Sequence, residues 1–430
     1  VRLELGAELA VVLDVDLVGD GHGCLGLQAA STKAPRTEPM SRAGPFGTDR
    51  DPRNRTQRAA PDTETAGTAG TERNGRPPHT GTNRQLGPQG ASTRKATEPV
   101  KVTAPLVGHM TTTLGTASAS PGEIDTGRLE VGETRDGSPV GLPVAVINGA
   151  QPGQTLYVQA ASDGDELNGV GVLTRTIPRL DPAELAGTIL VVGIVNYHAF
   201  QVAEHRNPID QTKMNRCYPG EAEGTSSERI AHATFEVASR ADLVVDLHQG
   251  STSRMIDEVR VRCGQRHRIH DECLELARVF GLECGHVLDQ KGPDGQLARA
   301  APDEGIPTID PELGGCVGWD EASIEKGVAG MFNVLRHYGF LAGDASTVAL
   351  DRATGFEQYG APCGGLIDFE PELGDRISPG DPLFDVLTPF GETKATVNAD
   401  TDGIFWRTRR LPQVATGEYV CSIGTDVDTI

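Results

Sequence analysis

The chain has 430 residues, 37% of them hydrophobic and 4% aromatic, with 60 acidic and 39 basic side chains and a formal net charge of -21. That length holds two or three domains. The acidic balance excludes a general nucleic-acid binder, which needs surplus cations to neutralise phosphates, and disfavours an anionic membrane surface as partner. No run of about 18 apolar residues occurs, so no bilayer-spanning helix is predicted.

The charge is unevenly spread, with a net of +2 over residues 1–109 and -23 over 110–430. Lys is scarce: seven in the chain, four of them after Met110. An acidic, Lys-poor surface suits a protein kept soluble in concentrated salt, where such charges are screened. An ordinary acidic enzyme from a GC-rich genome has the same look. The eight Cys include no C-x-x-C pair, so neither a zinc finger nor a disulfide framework is predicted, and a reducing, cytoplasmic compartment fits best.

Residues 1–109 are rich in Gly, Pro, Thr, Arg and Ala from Lys33 onward, and Phe46 is their only aromatic. Such a segment buries too little apolar surface to offset its conformational entropy, so it reads as a disordered or extraneous extension, with Met110 opening the folded part. The apolar stretch Leu9–Leu17 carries Asp14 and Asp16, which a secretory signal would not.

Residues 110–345 alternate strand and helix patterns. Thr155–Ala161, Thr188–Val195 and Ala241–Leu247 are β-rich apolar runs that suit strands covered on both faces of a largely parallel sheet. Thr225 and Glu228 make a capping box ahead of Ile230, Thr234 and Val237 at helical spacing. Asp271–Phe280 and Asp320–His337 also read as helices. The class is α/β. Residues 346–430 break into short apolar pieces, Gly365–Phe369, Leu383–Leu387, Gly403–Trp406 and Glu418–Ile423, between Gly, Pro and Asp turns. This pattern predicts a small all-β barrel or sandwich.

Four clusters could carry chemistry. Ser162-Asp163-Gly164-Asp165-Glu166 follows the first strand, and its carboxylates at 163 and 166 face one way in a helical turn. Acids placed to favour a helix dipole would look the same. Asp246-Leu247-His248 ends another apolar strand, where a lone His is commonly a packed or capping residue. Two carboxylates and one imidazole nevertheless form a three-ligand zinc set with a position left for water. Arg206, and Asn215-Arg216 further on, offer planar donor forks for a carboxylate, or simply decorate a surface loop. Glu312 sits on an apolar strand before Gly314-Gly315, and a carboxylate there could take a proton from water and return it to a leaving amine.

In this order the four clusters resemble the succinylglutamate desuccinylase/aspartoacylase family of zinc-dependent amidohydrolases, over roughly Leu142–Ile430. The resemblance implies a zinc carboxypeptidase-like mixed, largely parallel sheet with flanking helices, followed by the C-terminal β module. It makes Glu166 and His248 metal ligands and places Asp163 where the family's H-G-x-E box has His. It also makes Asn215, Arg216 and Arg206 substrate-binding, Glu312 the catalytic base and acid, and Arg206 a helper at the developing oxyanion. The implied cofactor is one zinc ion, although two anionic ligands weaken the Lewis acid and admit a harder divalent metal. The implied partner is a small anionic N-acyl amino acid or related amine, deacylated by a possible homo-oligomer. A metallocarboxypeptidase on short peptides and a non-catalytic metal- or ligand-binding homologue are the competing expectations. Arg260 and Arg262, in a basic run with two His, are expected to pair with the chain's own carboxylates.

Overall fold

A computed structural model describes residues 110–281, 285–316, 318–346 and 349–430; the extension predicted over 1–109 lies outside the described residues. In chain order the elements are β1 (Thr112–Leu114), β2 (Ala117–Ala119), β3 (Glu123–Glu133), β4 (Pro139–Asn148), β5 (Gln151–Ala160), α1 (Asn168–Thr176), β6 (Ala186–Val192), α2 (Tyr197–Val202), α3 (Ser226–Ala238), β7 (Leu243–Gly250), β8 (Ser253–Met255), β9 (Glu258–Val261), α4 (His270–Phe280), β10 (His286–Asp289), α5 (Leu297–Asp303), β11 (Thr308–Gly315) and α6 (Glu321–His337). The C-terminal region adds β12 (Asp351–Gly360), β13 (Gly365–Phe369), β14 (Arg376–Ile377), β15 (Pro382–Leu387), β16 (Thr393–Asn398), β17 (Gly403–Arg409), β18 (Gln413–Val414) and β19 (Tyr419–Thr429).

One large mixed sheet organises these elements, in the order β14-β17-β19-β12-β10-β9-β11-β7-β5-β6-β4-β3, with β8 on β17. Its centre, β11-β7-β5-β6, is parallel, while β9 runs antiparallel to β11 and β4 to β6. Alternation along the central strands sends residues to opposite faces. Leu156, Val158 and Ala160 of β5, Leu243, Val245 and Leu247 of β7, and Ile309 and Leu313 of β11 join one core with Leu276 and Phe280 of α4 and Ile324, Val328 and Met331 of α6. Tyr157 and Val244 face the other way, packing with Ile230 and Val237 of α3 and Leu297 of α5. Both faces of the central strands are therefore covered, which is why they read as continuous apolar runs.

The capping box forms as predicted: the Thr225 side chain accepts from the Glu228 N–H, and Glu228 accepts from the Thr225 N–H. Helix α6 starts one residue later than predicted, because Asp320 is extended and caps it by accepting from the Ser323 N–H. His248 lies inside β7 rather than just past it, since β7 keeps pairing with β11 to its end.

Beyond residue 350 the chain is all β. Strands β13, β15, β16 and β18 form a four-stranded sheet, while β12 pairs in parallel with β10 and so continues the large sheet. Strand β12 was not visible as a sequence pattern, because much of it is polar and only partly buried. No helix among the described residues is long and apolar enough to cross a membrane.

Candidate active site

Sheet alternation builds the floor of the site. On the face of Val244, the next alternate residues of β7 are Asp246 and His248; on β11 they are Asp310 and Glu312. Strand register sets Glu312 opposite His248. Gln159 of β5, opposite Asp246, donates to it at 2.9 Å. Donor atoms of His248, Asp310 and Glu312 all lie within 4.8 Å of one another.

The turn after β5 supplies the wall. The Glu166 N–H donates to the Asp163 carbonyl at 3.2 Å, which turns both carboxylates the same way. Gly164 is required because a Cβ there would come within 2.3 Å of the Ala199 carbonyl carbon in α2. Glu166 Oε2 accepts from the Gln249 N–H at 3.1 Å and lies 2.7 Å from His248 Nδ1. Asp163 Oδ2 is 3.9 Å from the same nitrogen. The far nitrogen of His248, Nε2, is 3.1 Å from Asp246 Oδ2 and 3.1 Å from Asn215 Nδ2.

All of these groups are buried, and the burial shows in their protonation. Burial, and next the charge of Asp163, raise Glu166 to about 7. Burial opposes the charge on His248, but Asp246 and Asp310 hold its imidazole well above the usual range. Perturbed protonation of neighbouring groups inside one buried cluster is typical of functional sites.

The donor set suits a divalent cation. Asp163 Oδ1 is buried with no hydrogen-bond partner, an arrangement that is costly unless something compensates it. The far nitrogen of His248 hydrogen-bonds the Asn215 amide, with the Asp246 carboxylate close by but outside hydrogen-bond geometry. Asp163, Glu166 and His248 are therefore brought together.

The other expected residues divide. Asn215 is buried against His248. Glu312 joins the cluster, with one oxygen paired to Arg260 and the other, Oε2, buried without a hydrogen-bond partner. Arg216 is exposed and donates to the Asn215 carbonyl; Arg206 is exposed and donates to the Gln211 carbonyl at 3.4 Å, within its own loop. As expected, Arg260 pairs with the chain's own carboxylates, Glu258 as well as Glu312, and Arg262 approaches Asp310 at 3.6 Å.

Two residues of the cluster escaped the sequence reading. His205, in the loop after α2, brings Nε2 to 3.6 Å from Asp163 Oδ1 and Nδ1 to 3.0 Å from Asp165 Oδ1. Lys213 places Nζ 3.1 Å from Asp163 Oδ2. The only hint of either was the rarity of Lys after Met110.

Residues 152–338 match the model of the Succinylglutamate desuccinylase/Aspartoacylase catalytic domain. An N-alpha-acetyl-L-2,4-diaminobutyric acid deacetylase of Halomonas elongata is 25% identical over 302 residues, covering 67% of this chain and 87% of that protein. Among solved structures, a succinylglutamate desuccinylase from Silicibacter sp. TM1040 superposes with a TM-score of 0.64 at 24% identity, covering 71% of this chain and 95% of the other. The product-bound ectoine utilization protein EutE (DoeB) of Ruegeria pomeroyi gives 0.65 at 23%, covering 70% and 95%. These likenesses share one mixed α/β fold. Residues 152–338 are thus a domain of the succinylglutamate desuccinylase/aspartoacylase type.

Proposed function

We propose that the chain is a metal-dependent hydrolase of the amide bond in a small N-acyl amino acid or related amine. The observation that carries this reading is the convergence of Glu166, His248 and Glu312 at the ends of adjacent strands, beside a buried carboxylate oxygen of Asp163 that has no partner. Asp163, Glu166 and His248 would hold the ion, taken as zinc or a harder divalent metal. When bound, it supplies Lewis acidity that activates water and polarises the scissile carbonyl.

The remaining steps belong to the chain's own groups. Glu312 Oε2 has a free lone pair to take a proton from the attacking water, while Arg260 fixes the other oxygen. The same carboxyl returns the proton to the departing amine. Asn215 orients the imidazole of His248 through Nε2, with the Asp246 charge 3.1 Å behind it. Asn215 and Arg216 bind the substrate carboxylate; Arg206 would reach it, and the developing oxyanion, only by a shift of its exposed loop. We assign residues 110–345 to the catalytic part and 346–430 to a β module. The free Cys among the described residues are in keeping with a reducing, cytoplasmic setting.

The Halomonas relative's name makes N-acetyl-2,4-diaminobutyrate the first substrate to try. The test is amine release by the full chain from a panel of N-acetyl and N-succinyl amino acids, with metal content measured alongside. About one metal per chain and release that is lost in Glu312→Gln are expected. One observation favours a non-catalytic binding protein instead: the Lys213 ammonium lies against Asp163. Bound metal without release across the panel would favour that second reading.

A further inference from the structure

We infer that His205 is a ligand, through Nε2, of the cation held by Asp163 and Glu166, and that Lys213 is a competing cation built into the same lone pairs. This rests on the metal reading above and extends its ligand set to a residue outside the sequence motifs, so that the attacking water would take a fifth coordination position.

The tautomer of His205 is fixed by its neighbours. Lys213 Nζ lies 2.7 Å from Nε2. An ammonium has only protons to offer, so Nε2 is the acceptor and carries the lone pair. The ring proton then sits on Nδ1, which donates to Asp165 Oδ1 at 3.0 Å and lies equally close to Ser251 Oγ. A carboxylate behind one ring nitrogen, with a lone pair presented by the other, is the arrangement of a metal-ligating imidazole.

That lone pair has suitable company. Nε2 is 3.6 Å from Asp163 Oδ1, the buried oxygen without a hydrogen-bond partner. Two neighbouring donors on one zinc ion stand about 3.0–3.4 Å apart, given bonds near 2.1 Å. Donor atoms of Asp163, Glu166 and the His205 ring all lie within 4.8 Å of one another, with Glu166 Oε1 3.8 Å from Nδ1, so the ring must turn modestly for Nε2 to share an ion with Glu166. The Gly164 turn carries both carboxylates, and the loop after α2 brings His205 beside them.

Lys213 contacts two of the three ligands, Asp163 Oδ2 as well as His205 Nε2. An ion taking those lone pairs must displace the ammonium and then share a buried setting with its charge, where repulsion is poorly screened. Lys213 therefore weakens metal binding, and its removal tightens it.

The experiment titrates the full-length, chelator-stripped protein with Zn(II) against a chromophoric chelator at one fixed pH, and repeats it with Co(II) to record the visible spectrum. Relative to the unsubstituted chain, His205→Ala is expected to weaken binding about tenfold or more and to shift the Co(II) bands, as loss of a nitrogen ligand must. Lys213→Met is expected to tighten binding by a similar factor. His205 is a quarter exposed, so its truncation should leave the fold intact, which a thermal melt checks. Unchanged affinity and spectrum in His205→Ala, or no tightening in Lys213→Met, overturns the inference while leaving the metal reading standing. If the unsubstituted chain binds no metal, or Glu166→Gln binds as well as it does, the metal reading falls and the inference with it.

Discussion

The central strands and the C-terminal β region treat charge in opposite ways. Around β7, β9 and β11 the sheet buries Asp246, His248, Glu258, Arg260, Arg262, Asp310 and Glu312, whereas beyond residue 350 the buried polar residues are Thr408 and Ser422. Acidic residues of the second region serve turns at the surface: Asp375 accepts from the Glu372 N–H, and Asp381 from the Ser378 N–H. Both regions are acidic and rich in strands, so composition does not separate them. Burying a charge is expensive unless it is paired, and a fold sustains that cost where the charges are used. Among the polar contacts between the regions, the Trp406 indole donates to Glu258, and Arg407 approaches the same carboxylate at 3.5 Å. Glu258 in turn holds Arg260, which holds Glu312, so the β region supports the site through buried partners.

The comparison can be broken at four points. On the proposed mechanism, Glu312→Gln keeps shape and removes the proton acceptor, so turnover should fall about 10²–10⁴-fold with the melting temperature little changed, as steady-state assays and calorimetry would reveal. Arg260→Met should be the largest stability effect. It leaves Glu312 buried without its cation and Glu258 with only the more distant Arg407, at a cost of about 3–5 kcal/mol in denaturant unfolding, and a loss under 1 kcal/mol would refute the pairing. Thr225→Ala removes half of the capping box of α3 and should cost about 1 kcal/mol, read from the same titration.

The smallest effect belongs to the other region. Asp428 pairs with Arg352, whose hydrogen bond holds the carboxyl below its ordinary range. A carboxyl lowered in the folded state contributes stability that is fully present above its ordinary range and is lost as pH falls from there through the lowered folded range. Asp428→Asn should therefore cost only a few tenths of a kcal/mol at pH 7, since the pair is exposed, and nothing near pH 2. A loss that persists in acid would mean that the side chain acts through packing instead.

Much of the frame was legible in the sequence because strands covered on both faces leave continuous apolar runs. The capping box, α4 and α6 followed from spacing and cap chemistry. Strand β12 did not, since its stability comes from pairing with β10 and β19 rather than from an apolar pattern of its own. Of the site, Asp163, Glu166, His248, Asn215 and Glu312 stood out because each sits in a short motif at a strand end or in a loop.

What the sequence determined by itself was the order of the strands and helices and the identity of those motif residues, since local spacing carries both. Only the tertiary structure decided that His205 and Lys213 close on Asp163, that Arg260 clasps Glu312, and that Arg206 and Arg216 stay at the surface. Those contacts join residues dozens of positions apart. They depend on which strands become neighbours and in what register, and the physical chemistry of a short window does not contain that information.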